Sequence, residues 1–90
     1  MLRLSEQIRS THNQDGAVIL DVRHGQMFRL NSVGSRMLEF LMQGYSEARI
    51  ADEISRKLNV DVETIRMDVH EFLLQLEEHH LLESRQENDR

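Results

Sequence analysis

The sequence predicts an α+β domain in which an antiparallel sheet comes first and a bundle of three helices follows. Three observations carry this expectation. Two strand-like runs, Ala17 to Val22 and Gln26 to Leu30, flank the short turn segment Arg23-His24-Gly25. After Leu30 the apolar spacing changes from two to three and four, in three successive segments that each follow a capping residue. The connections are only a few residues long, so elements adjacent in the chain are adjacent in space.

Taken in order, Leu2, Leu4 and Ile8 are interleaved with polar residues and predict a strand within Leu4 to His12, with no register fixed. Asp15-Gly16 opens the next run. Gly25 is free to take positive φ, so Ala17 to Val22 and Gln26 to Leu30 read as a hairpin. Alternation places Val18, Leu20 and Val22 on one face of their strand. It turns Phe28 and Leu30 toward the core and leaves Met27 and Arg29 on the other side.

Asn31-Ser32 supplies the cap of a helix from Val33 to Met42, with Val33, Met37, Leu38, Phe40 and Leu41 inward and Gly44 as its stop. Ser46 caps a second helix to Leu58, burying Ile50, Ala51, Ile54 and Leu58 and exposing Arg49, Asp52, Glu53, Arg56 and Lys57. Asn59-Val60-Asp61 breaks it. Asp61 caps a third helix to His80, whose core stripe is Val62, Ile65, Val69, Phe72, Leu73 and Leu76. The whole is winged-helix-like: an N-terminal antiparallel three-stranded sheet followed by a three-helix bundle, a single domain over residues 1–83. The segment Glu83 to Arg90 has no apolar residue, and residues 84–90 are expected to form a disordered acidic tail.

Ninety residues bury roughly 60–65% of their unfolded surface, enough for one small core and too little for a two-domain enzyme with its own cofactor. Sixteen acidic against eleven basic residues, a net charge of −5, oppose a phosphate backbone, so nucleic acid is not an expected partner. With no Cys, disulfides, thiolate zinc sites, iron–sulfur clusters and cysteine nucleophiles are excluded together. No run approaches the length of a membrane span, and Met1 to Ser10 lacks the continuous apolar stretch of a signal peptide. A soluble cytoplasmic protein is expected.

The five histidines do not form a metal-ligand pattern: His12 and His24 fall in loops, His79-His80 point about 100° apart on a helix, and His70 has Leu74 at its i+4 position. Gly16, Gly25, Gly34 and Gly44 are isolated, and no nucleophile elbow, paired-carboxylate frame or phosphate loop is present, so no catalysis, metal or cofactor is expected. Two features suit an interaction protein. Met67, Leu74 and Leu81 form a second apolar line on the third helix, which reads either as extra core or as a surface for a partner or a second copy of the chain. Gln26 to Asn31, or the strand before it, lies at a sheet edge; that edge either accepts an extended peptide or is protected by Gln26 and Arg29.

The ordered run DGAVILDVRHGQMFRLNSVGSRMLEFL, followed by IADEISRKLNVDVETIRMDVHEFLLQLEEHHLLE, resembles the PqqD-like proteins. These are leader-peptide-binding domains, or RiPP recognition elements, of pyrroloquinoline quinone, lasso-peptide and related pathways. The markers are Asp21 after the apolar strand, Gly25 in the turn, Leu30-Asn31, Gly34 opening the helix, and an acidic third helix closing with Leu81-Leu82. The resemblance spans about Ile8 to Glu83. The resemblance implies a non-catalytic peptide chaperone with no cofactor of its own. The leader of a ribosomal precursor would pair with the third strand, lie against the third helix, and so be presented to a modifying enzyme, a radical SAM protein or a leader peptidase.

Carried onto this chain, the resemblance implies strand pairing at Met27, Phe28, Arg29 and Leu30, and a helix side around Arg66, Met67, Val69, His70 and Leu73. His24 and the helix opening SVGSRM depart from the commonest family forms, which leaves the pathway open. The rival reading is a winged-helix DNA-binding regulator. Against it, the third helix carries Glu63, Asp68, Glu71, Glu77 and Glu78 with Arg66 as its one basic residue. A homodimer through Met67, Leu74 and Leu81, or through a swapped N-terminal strand, is compatible with peptide binding.

Overall fold

The computed structural model describes residues 2–13 and 15–84. Their order is β1 (Leu2–Leu4), β2 (Ile8–Asn13), β3 (Gly16–Asp21), β4 (Gln26–Leu30), α1 (Ser32–Met42), α2 (Glu47–Leu58), α3 (Val62–Glu78) and β5 (Leu82–Ser84). The sheet and bundle expected from the sequence are both present. β2, β3 and β4 form an antiparallel sheet in that order, with Ser10, Ile19 and Phe28 abreast.

The single N-terminal strand expected within Leu4 to His12 is two strands. β1 leaves the main sheet and pairs antiparallel with β5, Leu4 opposite Leu82. Glu83 and Ser84 therefore belong to a strand, which corrects the start of the expected tail. The remainder of that tail, residues 85–90, lies outside the described residues.

Both hairpin turns are held by a side chain that precedes them. The Asn13 Oδ1 accepts from the backbone N–H of Asp15 and Gly16, at 2.8 and 3.0 Å. Asp21 is only 1% exposed, and His24 is the chief partner of its carboxylate: the ring Nδ1 lies 2.8 Å from Oδ2 and the backbone N–H donates to Oδ1, with the Arg23 backbone N–H also directed to it. The Asp21 carbonyl accepts from Gly25, which takes φ 66°. The His24 hydrogen bond holds the Asp21 carboxyl below its ordinary value, outweighing burial, which pushes it up. The turn is thus a locked unit that fixes where β4 begins.

Ala17, Ile19 and Asp21 are the inward residues of β3, while Val18 and Leu20 share the outer face; Val22, expected with them, is exposed in the turn that follows. On β4 Phe28 and Leu30 turn toward the core, and Met27, 62% exposed, turns away, as alternation predicts. The core joins Ile19 to Met37, Leu38 and Leu41 of α1, to Ile50, Ala51 and Ile54 of α2, and to Ile65, Val69, Leu73 and Leu76 of α3.

Asn31, Ser46 and Asp61 cap the three helices by accepting from Gly34, Arg49 and Thr64. Leu58, expected inward, is exposed in the last turn of α2. α3 stops at Glu78, short of the predicted His80. His80 takes φ 60°, its N–H bonds to the Glu77 carbonyl, and the Leu81 N–H bonds to the Leu76 carbonyl, a left-handed terminus of the Schellman kind. Leu81 consequently leaves the helix and is 1% exposed in the core. The predicted apolar line is broken: Met67 and Leu74 remain on the surface without Leu81.

Candidate functional site

β4 is an edge strand. Its outer side has no partner strand among the described residues, so alternate N–H and C=O groups point away from the sheet. The second half of α3 runs alongside. Between them lies a cavity of about 310 Å³, walled by Met27 to Leu30 on one side and by Phe72, Gln75, Leu76 and His79 on the other, with Ile19 and Leu81 beneath. Phe28 and His79 face each other across it at 4.7 Å between ring centroids, tilted by 49°.

A second hollow of about 420 Å³ adjoins the first where β4 passes into α1. Asn31, Val33, Gly34 and Met37 line one side and Asp68, Glu71, Phe72 and Gln75 the other. Phe72 and Gln75 belong to both hollows, so a trough follows one face of α3 from Asp68 to His79. Gly34 lets the start of α1 sit close to the end of β4 on that wall, since a Cβ there would lie 3.3 Å from the Leu30 Cβ and 3.4 Å from the Asn31 capping oxygen. The trough has an apolar middle, carboxylates at one end and a free strand edge along one wall. That combination can hold an extended peptide by main-chain bonds while side pockets read alternate side chains.

The predicted strand residues, Met27, Phe28, Arg29 and Leu30, all border this groove. The predicted helix residues do not. Val69 and Leu73 are in the core. Arg66 pairs with Glu63 of its own helix at 2.9 Å, and Met67 is 72% exposed. His70 lies 3.0 Å from Glu47 at the start of α2. The physical reason is rotational: Ile65, Val69, Leu73 and Leu76 point into the bundle, and the row of Asp68, Phe72, Gln75 and His79 is the face displaced toward β4.

Gln75 and His79 line the groove but are not among the residues expected from the sequence, and Phe72 and Leu76, expected in the core, line it as well. The signal available was Phe72, Gln75 and His79 at i, i+3 and i+7, a row that is half apolar and half polar. Among the described residues no group of three His, Asp or Glu is arranged to hold a metal ion, and no helix is long and apolar enough to cross a membrane.

The family model of coenzyme PQQ synthesis protein D (PqqD) matches residues 16–82. Among solved structures, TbiB1 in complex with the TbiA(beta) leader peptide is similar with a TM-score of 0.85 and 33% identity, covering 94% of this chain and 99% of that one. A lasso peptide synthetase B1 complexed with the leader peptide shares the fold, with a TM-score of 0.83 and 24% identity over 92% of this chain and 98% of its own. No curated protein is similar enough in sequence to be matched.

Proposed function

The chain belongs to the PqqD family, and on that footing we propose that it is a non-catalytic peptide chaperone, a RiPP recognition element. It binds the leader of a ribosomal precursor peptide by strand addition to β4 and presents the rest of that peptide to a modifying enzyme, a radical SAM protein or a leader peptidase. The observation that carries the reading is the unpartnered edge of β4 facing α3 across an apolar groove. The likeness to TbiB1, whose structure holds a leader peptide, supports it. The strand half of the site is Met27, Phe28, Arg29 and Leu30, and the helix half is Phe72, Gln75, Leu76 and His79.

DNA binding is disfavoured by the exposed side of α3. Glu63, Asp68, Glu71, Glu77 and Glu78 stand there against Arg66, and Arg66 is itself paired with Glu63. The test is an amide chemical-shift titration with a synthetic leader from the precursor encoded beside this chain, and with a scrambled peptide of equal composition. Shifts confined to the leader arm, at Gln26 to Asn31 and Asp68 to Leu81, are expected. A dispersed, folded spectrum that the leader leaves unmoved would overturn the reading.

A further inference from the structure

Strand addition extends the outer face of the sheet as well as the groove, because alternate side chains of the added strand point to opposite faces. On that outer face the register sets two rows, Thr11, Val18 and Arg29 in one and Arg9, Leu20 and Met27 in the other. Neither row contains a carboxylate, although the chain as a whole carries a charge of −5. Arg29 is exposed and has no hydrogen bond or ion pair among the described residues. It is therefore a cation at the growing edge of a sheet with neutral neighbours behind it. A residue added directly opposite would place its Cβ about 4.5–5.5 Å away, within reach of a carboxylate–guanidinium pair. Met27, two residues back, offers an exposed thioether beside Leu20 at the corresponding place in the other row.

Resting on the leader-binding reading, we propose that Arg29 selects the charge of the bound segment. The strand added to β4 carries an acidic residue facing Arg29 and an apolar residue two positions away facing Met27. Between them an apolar or aromatic side chain enters the cavity between Phe28 and Phe72. A lysine in the acidic position meets a like charge at cross-strand distance and is rejected.

The test is a positional-scanning series built on the leader peptide, each position set in turn to Glu, Lys, Leu or Gln, and titrated against wild type, Arg29→Glu and Arg29→Gln. Wild type should prefer Glu to Lys at one position by roughly five- to tenfold, and high salt should narrow the gap. Arg29→Glu should invert that preference and Arg29→Gln should flatten it, while Leu stays favoured two positions away. An unchanged preference profile in a folded Arg29→Glu chain that still binds the leader overturns the inference alone. Failure of wild type to bind any member of the series overturns the leader-binding reading and the inference with it.

Discussion

Phe28 on the edge strand and His79 at the C-terminal cap of α3 meet across the groove, with ring centroids 4.7 Å apart. The strand that offers main-chain bonds and the helix that offers side-chain pockets thus touch through two rings of different burial. Phe28 packs on the core beside Ile19, whereas His79 is largely exposed. The two should part company when each is truncated. His79→Ala is expected to lower leader affinity by about three- to tenfold, from the loss of one ring contact, with stability changed by less than about 1 kcal/mol. Phe28→Ala should lower both, costing about 1–3 kcal/mol because the ring is half-buried. Titration calorimetry beside urea unfolding separates the outcomes, and equal stability losses would show that His79 is structural.

Asp21 gives the fold an acid-sensitive joint. The hydrogen bond from His24 lowers its carboxyl from the ordinary 3.8, so the folded state holds the proton more weakly than the unfolded state. The sign follows: the contribution is present in full above the unfolded value and is lost as pH falls below it and through the depressed folded value. The urea midpoint of wild type is expected to drop over that acidic range by more than the midpoint of Asp21→Asn. Parallel pH profiles for the two proteins would show that the carboxylate contributes no linkage.

Gly16 begins β3 with φ 155°, and a Cβ there would run into the Leu30 carbonyl at the end of β4. Backbone cannot step aside as a flexible side chain can. Gly16→Ala is expected to cost at least about 2 kcal/mol and to displace the Leu30 end of the edge strand. Leader affinity should therefore fall beyond what partial unfolding explains. Denaturation together with amide shifts at Leu30 and Asn31 checks both parts.

The sheet and the three helices were legible because each rests on local chemistry: the Asn31, Ser46 and Asp61 caps, the Gly25 turn, and apolar periods that differ between strand and helix. β5 was not. Leu82 to Ser84 pairs with Leu2 to Leu4 from the opposite end of the chain, and no local pattern reports a long-range pairing. The strand half of the expected site, Met27 to Leu30, rests on the family resemblance, beside a strand–turn–strand pattern that places Gln26 to Leu30 near a sheet edge. The helix half depends on how α3 is rotated and how far along β4 it lies, which its packing against α2 and β5 decides. Periodicity finds the core stripe and cannot say which flank of it meets the sheet edge.

The end of α3 offers the sharpest contrast between two residues that periodicity puts in one line. His80 turns left-handed and carries Leu81 off the helix into the core, where it is 1% exposed, while Met67 stays on the helix surface at 72%. Leu81→Ala should cost about 2–5 kcal/mol, since a buried leucine loses both its transfer energy and the filling of its cavity. Leu81 also lies beneath the groove beside Leu76 and His79, so leader affinity should weaken even under conditions where the variant remains folded. Met67→Ala is expected to shift stability by less than about 0.5 kcal/mol and to leave leader affinity unchanged. A large loss of affinity in Met67→Ala would widen the helix side of the site to the flank of α3 that carries Met67, one turn before Glu71.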